Sequence, residues 1–568
     1  MNIIVNHLGF RPQNTEKKAI IWGKEKFTEF QIVYLTEMGY NEIGPNSREN
    51  SIIYRGKLQE KDFVWGKYFI ADFSDLKTPG FFLITLNNQY NSVPFQIRDD
   101  IYSRTLRKAF EYIHIQRCGQ AVPNYHGPCH LDDAIRRDTG EYVDTVGGWH
   151  DAGDLRKWME HTLLLGIAIN ILKKYVDPDW RTFNIKEGDL LDELRWGNQY
   201  FLKMLSPEGQ VWNDVAAGID GDNSDNHWTD NIVGTKDDRH INTFFNPVVQ
   251  WEFIYMESLT SATFKETDPY YSRICLQSAL KAYEFVKAYE NKRTVEIAWA
   301  ILALKELYTI TGNKELFPRL EKETRTLLSL QETEYMFGQD KVKGFWYYDL
   351  EKNTFYKTAR DSGIPIVALI EVSTIFEKDY GLKEACINAV KNHCLFYIKP
   401  LSSLSPFGII PYSLFNKEET LNGDVFRPIE GELYYRFFPE VTGKCAFGTS
   451  SHLLSYAVGL KLASDILNES EWEIIGRKQL EWVMGANTEN ACLMTGEGIN
   501  NPYPHSRFLG LIPGGIMNGI AGTEEDLPLL DKSYSMDWRT TEYWSPHVAF
   551  YIWFVSLISK GEKIDKMP

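Results

Sequence analysis

At 568 residues the chain exceeds the size at which one hydrophobic core keeps growing, so two domains, one of them large, are expected. Its 77 acidic and 61 basic residues give a formal charge of −16, which disfavours nucleic acid or anionic membrane as a partner and leaves a neutral substrate as the easier match. Aromatic residues make up 14%, more than an average core needs, so disorder is excluded and surplus rings are available as flat platforms. Seven cysteines are too few and too scattered for a disulfide framework. Cys275, Cys386, Cys394, Cys445 and Cys492 read as buried thiols. The start, Met1 to His7, has neither a basic nor an apolar leader region, and Val548 to Ile558 is too short to span a bilayer. A soluble, cytoplasmic chain is expected, or a secreted or periplasmic one if a leader was removed.

From residue 1 to 98 the pattern is β-like. Ile3 to Gly9, Lys18 to Trp22, Phe30 to Leu35, Tyr68 to Phe73, Phe81 to Leu86 and Val93 to Ile97 are short apolar runs separated by turn signals such as Thr78-Pro79-Gly80. They predict a small immunoglobulin-like β-sandwich. After Asp100 the period changes to 3.6. Helices are predicted over Tyr102–Arg117, Leu155–Tyr175, Leu190–Leu205, Val248–Leu259, Tyr270–Ala288, Glu296–Thr311, Leu316–Gln331, Ile364–Phe376, Lys383–Ile398, Ser451–Leu467, Glu471–Met484 and His547–Lys560. Without intervening strands, these suit a mainly α toroid of helical hairpins over 99–568. Ser545, Pro546 and the Lys560-Gly561 pair punctuate the last helix. Three loops, 118–153, 207–244 and 485–544, are long enough to carry function.

The most informative segment is Gly147-Gly148-Trp149-His150-Asp151-Ala152-Gly153-Asp154. Two carboxylates three residues apart, separated by the smallest residue types on a bend, can hold one water molecule between them. The competing reading is a polar turn in which Asp154 caps the helix beginning at Leu155.

The rest of the chain decides between them. Val5 to Phe10, Gln116-Arg117-Cys118-Gly119, Cys129-His130, Gly147 to Asp154, Leu191 to Gly197, Pro504-His505-Ser506-Arg507 and Glu542 resemble, in order, segments of glycoside hydrolase family 9. The resemblance implies an (α/α)6 barrel behind an immunoglobulin-like domain, and inverting hydrolysis of β-1,4-linked glucose-type sugars. By that resemblance Asp154 is the base, Asp151 helps position the water and Glu542 is the acid. The acid must be kept protonated by burial or neighbouring charge. His505 and Arg507 are expected to grip sugar hydroxyls. Trp149, Trp212, Trp228, Trp538, Tyr543 and Trp544 are candidate walls or platforms for sugar, and Asp225 and His227 a candidate polar pair. Cys118, Cys129, His130 and His150 match a structural tetrahedral zinc. Asp220, Asp222 and Asp225 are the candidate calcium ligands; no organic cofactor is expected.

Thr541-Glu542-Tyr543-Trp544 departs from the family's usual Asn-Glu, which keeps an exo-acting β-glucosidase or exo-β-glucosaminidase as the alternative. An amino sugar would need a further carboxylate, for which Asp132-Asp133 is available, otherwise a solvated turn. A carbohydrate-binding protein without catalysis and a barrel lyase are the readings from other classes.

Overall fold

The computed structural model describes residues 1–35, 51–176, 185, 187–217, 227–334, 342–376, 379–442, 446–508, 510–531 and 537–559. Asp220, Asp222, Asp225, Cys445 and the Lys560-Gly561 pair lie outside them.

Strands β1 (Asn2–Ile4), β2 (Lys18–Trp22), β3 (Glu29–Leu35), β4 (Ile52–Phe63), β5 (Gly66–Asp72), β6 (Gly80–Leu86), β7 (Tyr90–Asn91) and β8 (Phe95–Ile97) form one sheet. Its order is β1-β2-β5-β4-β3-β6-β7, with β8 also on β6. All of its strand pairs are antiparallel. Phe10 bridges Ile97, so the sheet nearly closes into a barrel around Val5, Phe10, Ile21, Phe30, Ile32, Phe82, Ile84 and Phe95. This fits the immunoglobulin-like expectation.

Two details differ from the sequence reading. The first strand stops at Ile4 rather than Gly9, because Asn6 folds the chain back: its Oδ1 accepts from Leu8 N at 3.0 Å and its Nδ2 donates to Gly9 O at 2.9 Å. The longest strand, β4, was not expected. Its sequence alternates as a strand should, but charged and polar residues such as Arg55, Lys57 and Gln59 occupy the exposed face, so few apolar residues mark it.

All twelve expected helices are present: α1 (Ser103–Ile115), α2 (Met159–Val176), α3 (Glu187–Lys203), α4 (Pro247–Phe264), α5 (Pro269–Val286), α6 (Thr294–Thr311), α7 (Phe317–Ser329), α8 (Ile364–Ser373), α9 (Tyr380–His393), α10 (Ser450–Leu467), α11 (Ser470–Val483) and α12 (Ser545–Ile558). The even-numbered helices touch one another in succession, and α12 returns to α2, closing an inner ring. Each odd-numbered helix backs one of them from outside: α1 on α12, α3 on α2, α5 on α4, α7 on α6, α9 on α8 and α11 on α10. The chemistry of the two layers differs accordingly. Inner α12 is buried along its whole length, whereas outer α7 buries one stripe through Leu320, Glu323, Thr324 and Leu327. The result is an (α/α)6 barrel.

Short connections join α4 to α5, α6 to α7 and α10 to α11 at one end of the barrel. The long loops all lead into the N-termini of inner helices, so they gather at the opposite mouth. Outward-facing sheet residues Ile20, Tyr68 and Ile70 join the same apolar cluster as the barrel's Phe407 and Trp482. No helix among the described residues is long and apolar enough to cross a membrane.

Candidate active site

The segment 147–154 crosses the mouth as a pinned loop, and helix α3 does much of the pinning. The indole of Trp149 is fully buried and donates to Glu193 Oε1 at 2.8 Å, while Trp196 Nε1 donates to Gly148 O at 2.9 Å. Gly197 lets the two meet: a Cβ there would stand 1.9 Å from the Trp149 ring. Trp149 is therefore an anchor rather than a sugar platform.

Asp154 is not a helix cap. Leu155 takes a left-handed conformation, φ 69°, and Lys157 and Trp158 pair with Val215 and Asp214, so α2 starts only at Met159. Asp154 does sit in a turn, its Oδ1 accepting from Arg156 N at 3.2 Å, but the turn leads into a strand rather than a helix.

The third long loop reaches the same place. After a helical turn, Trp538–Thr541, residues 542–544 run extended between two neighbours. His505 bridges Glu542, Met517 bridges Tyr543, Ala152 bridges Trp544, and Ser545 N donates to Asp151 O at 2.8 Å. Arg507 N likewise donates to Gly153 O at 2.8 Å. Gly153 permits this crossing, because a Cβ there would meet His505 O at 2.3 Å. Extended backbone alternates its side chains. Glu542 and Trp544 therefore share the partly open side, while Tyr543 points into the core, where it is fully buried, meets the Tyr112 ring edge-on at 5.5 Å and pairs with Ser506 Oγ. The expected contact of Tyr543 with sugar is thus replaced by packing. Ser545 is the first residue of α12 rather than its cap.

Three carboxyls converge. Burial pushes Asp151 up to about 7, against the opposing pull of Arg156. Asp154 is pushed up to about 6, by burial first and then by the charge of Asp151. Glu542 is raised well above the ordinary carboxyl range, by burial first and then by Asp154 and Asp151. Asp151 Oδ1 and Glu542 Oε1 are both buried without a hydrogen-bond partner. Arg156, whose charge pulls on both aspartates, is itself engaged elsewhere: its Nε donates to Asp214 at 2.6 Å and its guanidinium lies 3.7 Å over the Trp158 ring.

One feature carried no signal in the sequence. His161, in the first turn of α2, donates from Nδ1 to Asp151 Oδ2 at 2.7 Å, and Trp544 Nε1 lies 2.9 Å from the same nitrogen with its N–H directed to the Asp151 carboxyl. Burial holds its pKa well below the usual value, which favours the neutral ring.

Beside this site, Cys118, Cys129, His130 and His150 bring one ligand atom each within 4.8 Å of one another, all buried. Cys118 Sγ lies 3.5 Å from His130 Nδ1, Cys129 Sγ 3.8 Å from His150 Nε2, and the two imidazole nitrogens are 3.3 Å apart. Ligands about 2.0–2.3 Å from a tetrahedral zinc stand about 3.3–3.8 Å from each other, so this donor set fits that ion. His130 Nε2 is fixed by His227 O at 3.0 Å. Trp228 stacks on the His130 ring at 5.8 Å, is 38% exposed, and contacts Arg507 O through Nε1 at 3.4 Å. A second acidic group, Asp132, Asp230 and Asp237, joins the first two loops.

Asp133 is not in a solvated turn. It is fully buried between Lys157 Nζ at 2.6 Å and Arg239 Nε at 2.8 Å. Trp212 is buried under the Arg136 guanidinium, whereas Trp538 is 38% exposed. His505 is half-buried and Arg507 exposed at the rim. A cavity of about 480 Å³ lies elsewhere, where Lys399 and Glu471 and Lys478 and Glu16 pair with each other.

The profile of Glycosyl hydrolase family 9 matches residues 102–353. Those residues carry a glycoside hydrolase family 9 domain. It is similar to Endoglucanase D of Acetivibrio thermocellus, 26% identical over 534 residues, which cover 89% of this chain and 75% of that one. A metagenome-derived family 9 endoglucanase has the same fold, with a TM-score of 0.71 at 18% identity over 98% of this chain and 99% of that one. A zinc-binding triple mutant of family 9 endoglucanase J30 superposes with a TM-score of 0.68 at 18% identity, over 97% of this chain and 100% of that one. With that domain the chain is a glycoside hydrolase.

Proposed function

We propose that this enzyme hydrolyses β-1,4-linked glucan with inversion, using Glu542 as acid, Asp154 as base and Asp151 to hold the attacking water. The observation that carries the reading is the approach of Glu542 to Asp151 and Asp154, with Glu542 favoured in its protonated form. In this reading Glu542 gives its proton to the glycosidic oxygen as that bond breaks. Water attacks the anomeric carbon from the opposite face and loses a proton to Asp154. Asp151 Oδ1, buried without a partner, accepts a hydrogen bond from the same water. Trp544, His505 and Arg507 line the approach for sugar, with Trp228 and Trp538 as outer platforms. The name of the Acetivibrio relative supports a glucan substrate.

A structural zinc belongs to the same proposal. Cys118, Cys129, His130 and His150 would hold it, and by fixing His150 it would brace the backbone next to Asp151. The domain boundary is placed near residue 98, where the apolar cluster of the sheet ends at Ile97.

Proton NMR of freshly cleaved cello-oligosaccharide tests the chemistry. The α-anomer of the new reducing end should appear first, and Glu542→Gln should abolish its release. A β-anomer, or unchanged hydrolysis by Glu542→Gln, overturns the assignment.

A further inference from the structure

The proposed chemistry asks Asp151 to present one particular oxygen to water, and a carboxylate on a rotatable bond does not do so unaided. Its environment supplies the constraint. Oδ2 is engaged by His161 Nδ1 at 2.7 Å, leaving Oδ1 as the oxygen without a partner. The imidazole is itself immobilised. Trp158 lies against it with ring centroids 4.6 Å apart, Trp544 meets it edge-on at 4.4 Å, and the Trp544 indole nitrogen stands 2.9 Å from Nδ1. Behind Trp158 stands the Arg156 guanidinium, and on the other side of Trp544 lies His547, with ring centroids 5.1 Å apart. The row Arg156, Trp158, His161, Trp544, His547 therefore runs from the base-bearing loop through α2 to α12.

We propose that His161 is a positioning residue for the hydrolytic step: clamped between Trp158 and Trp544, its Nδ1 binds Asp151 Oδ2 and thereby aims Oδ1 at the attacking water. The inference rests on the hydrolase reading above and deepens it. Trp544 then has two roles, because the residue that follows the acid by two positions also fixes the imidazole that orients the water-holding carboxylate. Acid and water site are mechanically joined through one extended strap. Loss of the His161 contact should leave sugar binding intact and slow the chemical step, since misplacing a reacting group by about 1 Å can cost about 100-fold. The effect belongs in kcat rather than KM.

Two substitutions separate this role from simple packing. His161→Phe keeps a ring between the tryptophans and removes the nitrogen; His161→Asn removes the ring but keeps a polar atom near the position of Nδ1. Steady-state kinetics on cello-oligosaccharide should give a kcat about 100-fold lower for His161→Phe, with KM within about threefold of wild type. His161→Asn should retain kcat within about fivefold even if its Tm is lower. The opposite ranking, with the phenylalanine variant active and the asparagine variant slow, assigns the residue to packing and overturns the proposal. So does a fall in His161→Phe that lies wholly in KM. Glu542→Gln run alongside keeps the two ideas apart. If wild type is inactive, or Glu542→Gln retains activity, the hydrolase reading fails; if Glu542→Gln is inactive while His161→Phe matches wild type, only the positioning role fails.

Discussion

Buried acids at the mouth of the barrel are treated in two opposite ways. Burial pushes Asp133 up, but Arg239 and Lys157 overcome it and hold the carboxyl below its ordinary range. Asp151 is buried as well, and Asp154 and Glu542 partly so, yet each is raised, by burial first and then by a neighbouring carboxylate: Asp214 for Asp151, Asp151 for Asp154, and both aspartates for Glu542, against the pull of Arg156 on the aspartates and of Arg239 on Asp154. Burial is common to both groups and so identifies neither. The difference is the counter-charge. A carboxylate clamped by two cations is a strut; carboxylates left short of cations retain protons that chemistry can move.

Substitutions should pull the two groups apart. Glu542→Gln or Asp154→Asn should lower kcat by about 1,000-fold while leaving the fold as stable or slightly more so, since each removes a carboxyl whose ionisation the fold opposes. Asp133→Asn should do the reverse. It strands Lys157 and Arg239 without an anion and should cost about 3–5 kcal/mol in urea unfolding, with kcat of the remaining folded enzyme far less affected. The pH dependence carries opposite signs. The contribution of Asp133 is complete above its unfolded value of about 3.9 and is lost as pH falls through its lower folded value. Glu542, raised in the fold, weakens the protein as pH rises through its folded value. Equal stability losses for Asp133→Asn and Glu542→Gln would erase the distinction.

The sequence exposed one member of this contrast and hid the other. Asp151 and Asp154 were legible because Gly and Ala separate them, and Glu542 because a recognisable segment precedes the last helix. Asp133 read as a solvated turn, since its partners Lys157 and Arg239 lie far along the chain and only the fold brings them together. Trp149 and Tyr543 were assigned to sugar on loop position alone; their burial follows from a pinned loop and from the alternation of an extended strap, neither visible in composition. His161 sits inside a helical period with no spacing to mark it. The barrel was legible from twelve amphipathic or apolar runs, whereas β4 was missed because its charged face dilutes the apolar signal.

The Cys and His cluster offers a smaller test of the same contrast, because its two thiols share the cations that hold Asp133: Arg239 reaches Cys118 Sγ at 3.8 Å and the charge of Lys157 acts on the same thiol. Metal analysis of the purified protein should find one zinc per chain. Cys129→Ser should weaken zinc retention by about 10-fold or more and lower Tm by a few degrees. Full zinc-independent stability in both proteins would remove the metal from the scheme.

The finest distinction lies within the catalytic group, between the effect of burial and the effect of neighbouring charge. Asp154 stands at about 6, and its ionised form is the one that accepts the water's proton, so log kcat should rise with pH through that value. It should fall again only where Glu542 finally ionises, at a pH well above the usual carboxyl range. Asp151→Asn removes the like charge next to Asp154 but leaves its burial unchanged. The residual activity of that variant should therefore show its acid limb displaced to lower pH by less than one unit, because burial is the larger of the two causes. A displacement to higher pH would mean that Asp151 supports ionisation of Asp154 instead of opposing it, and the roles of the two aspartates would have to be exchanged.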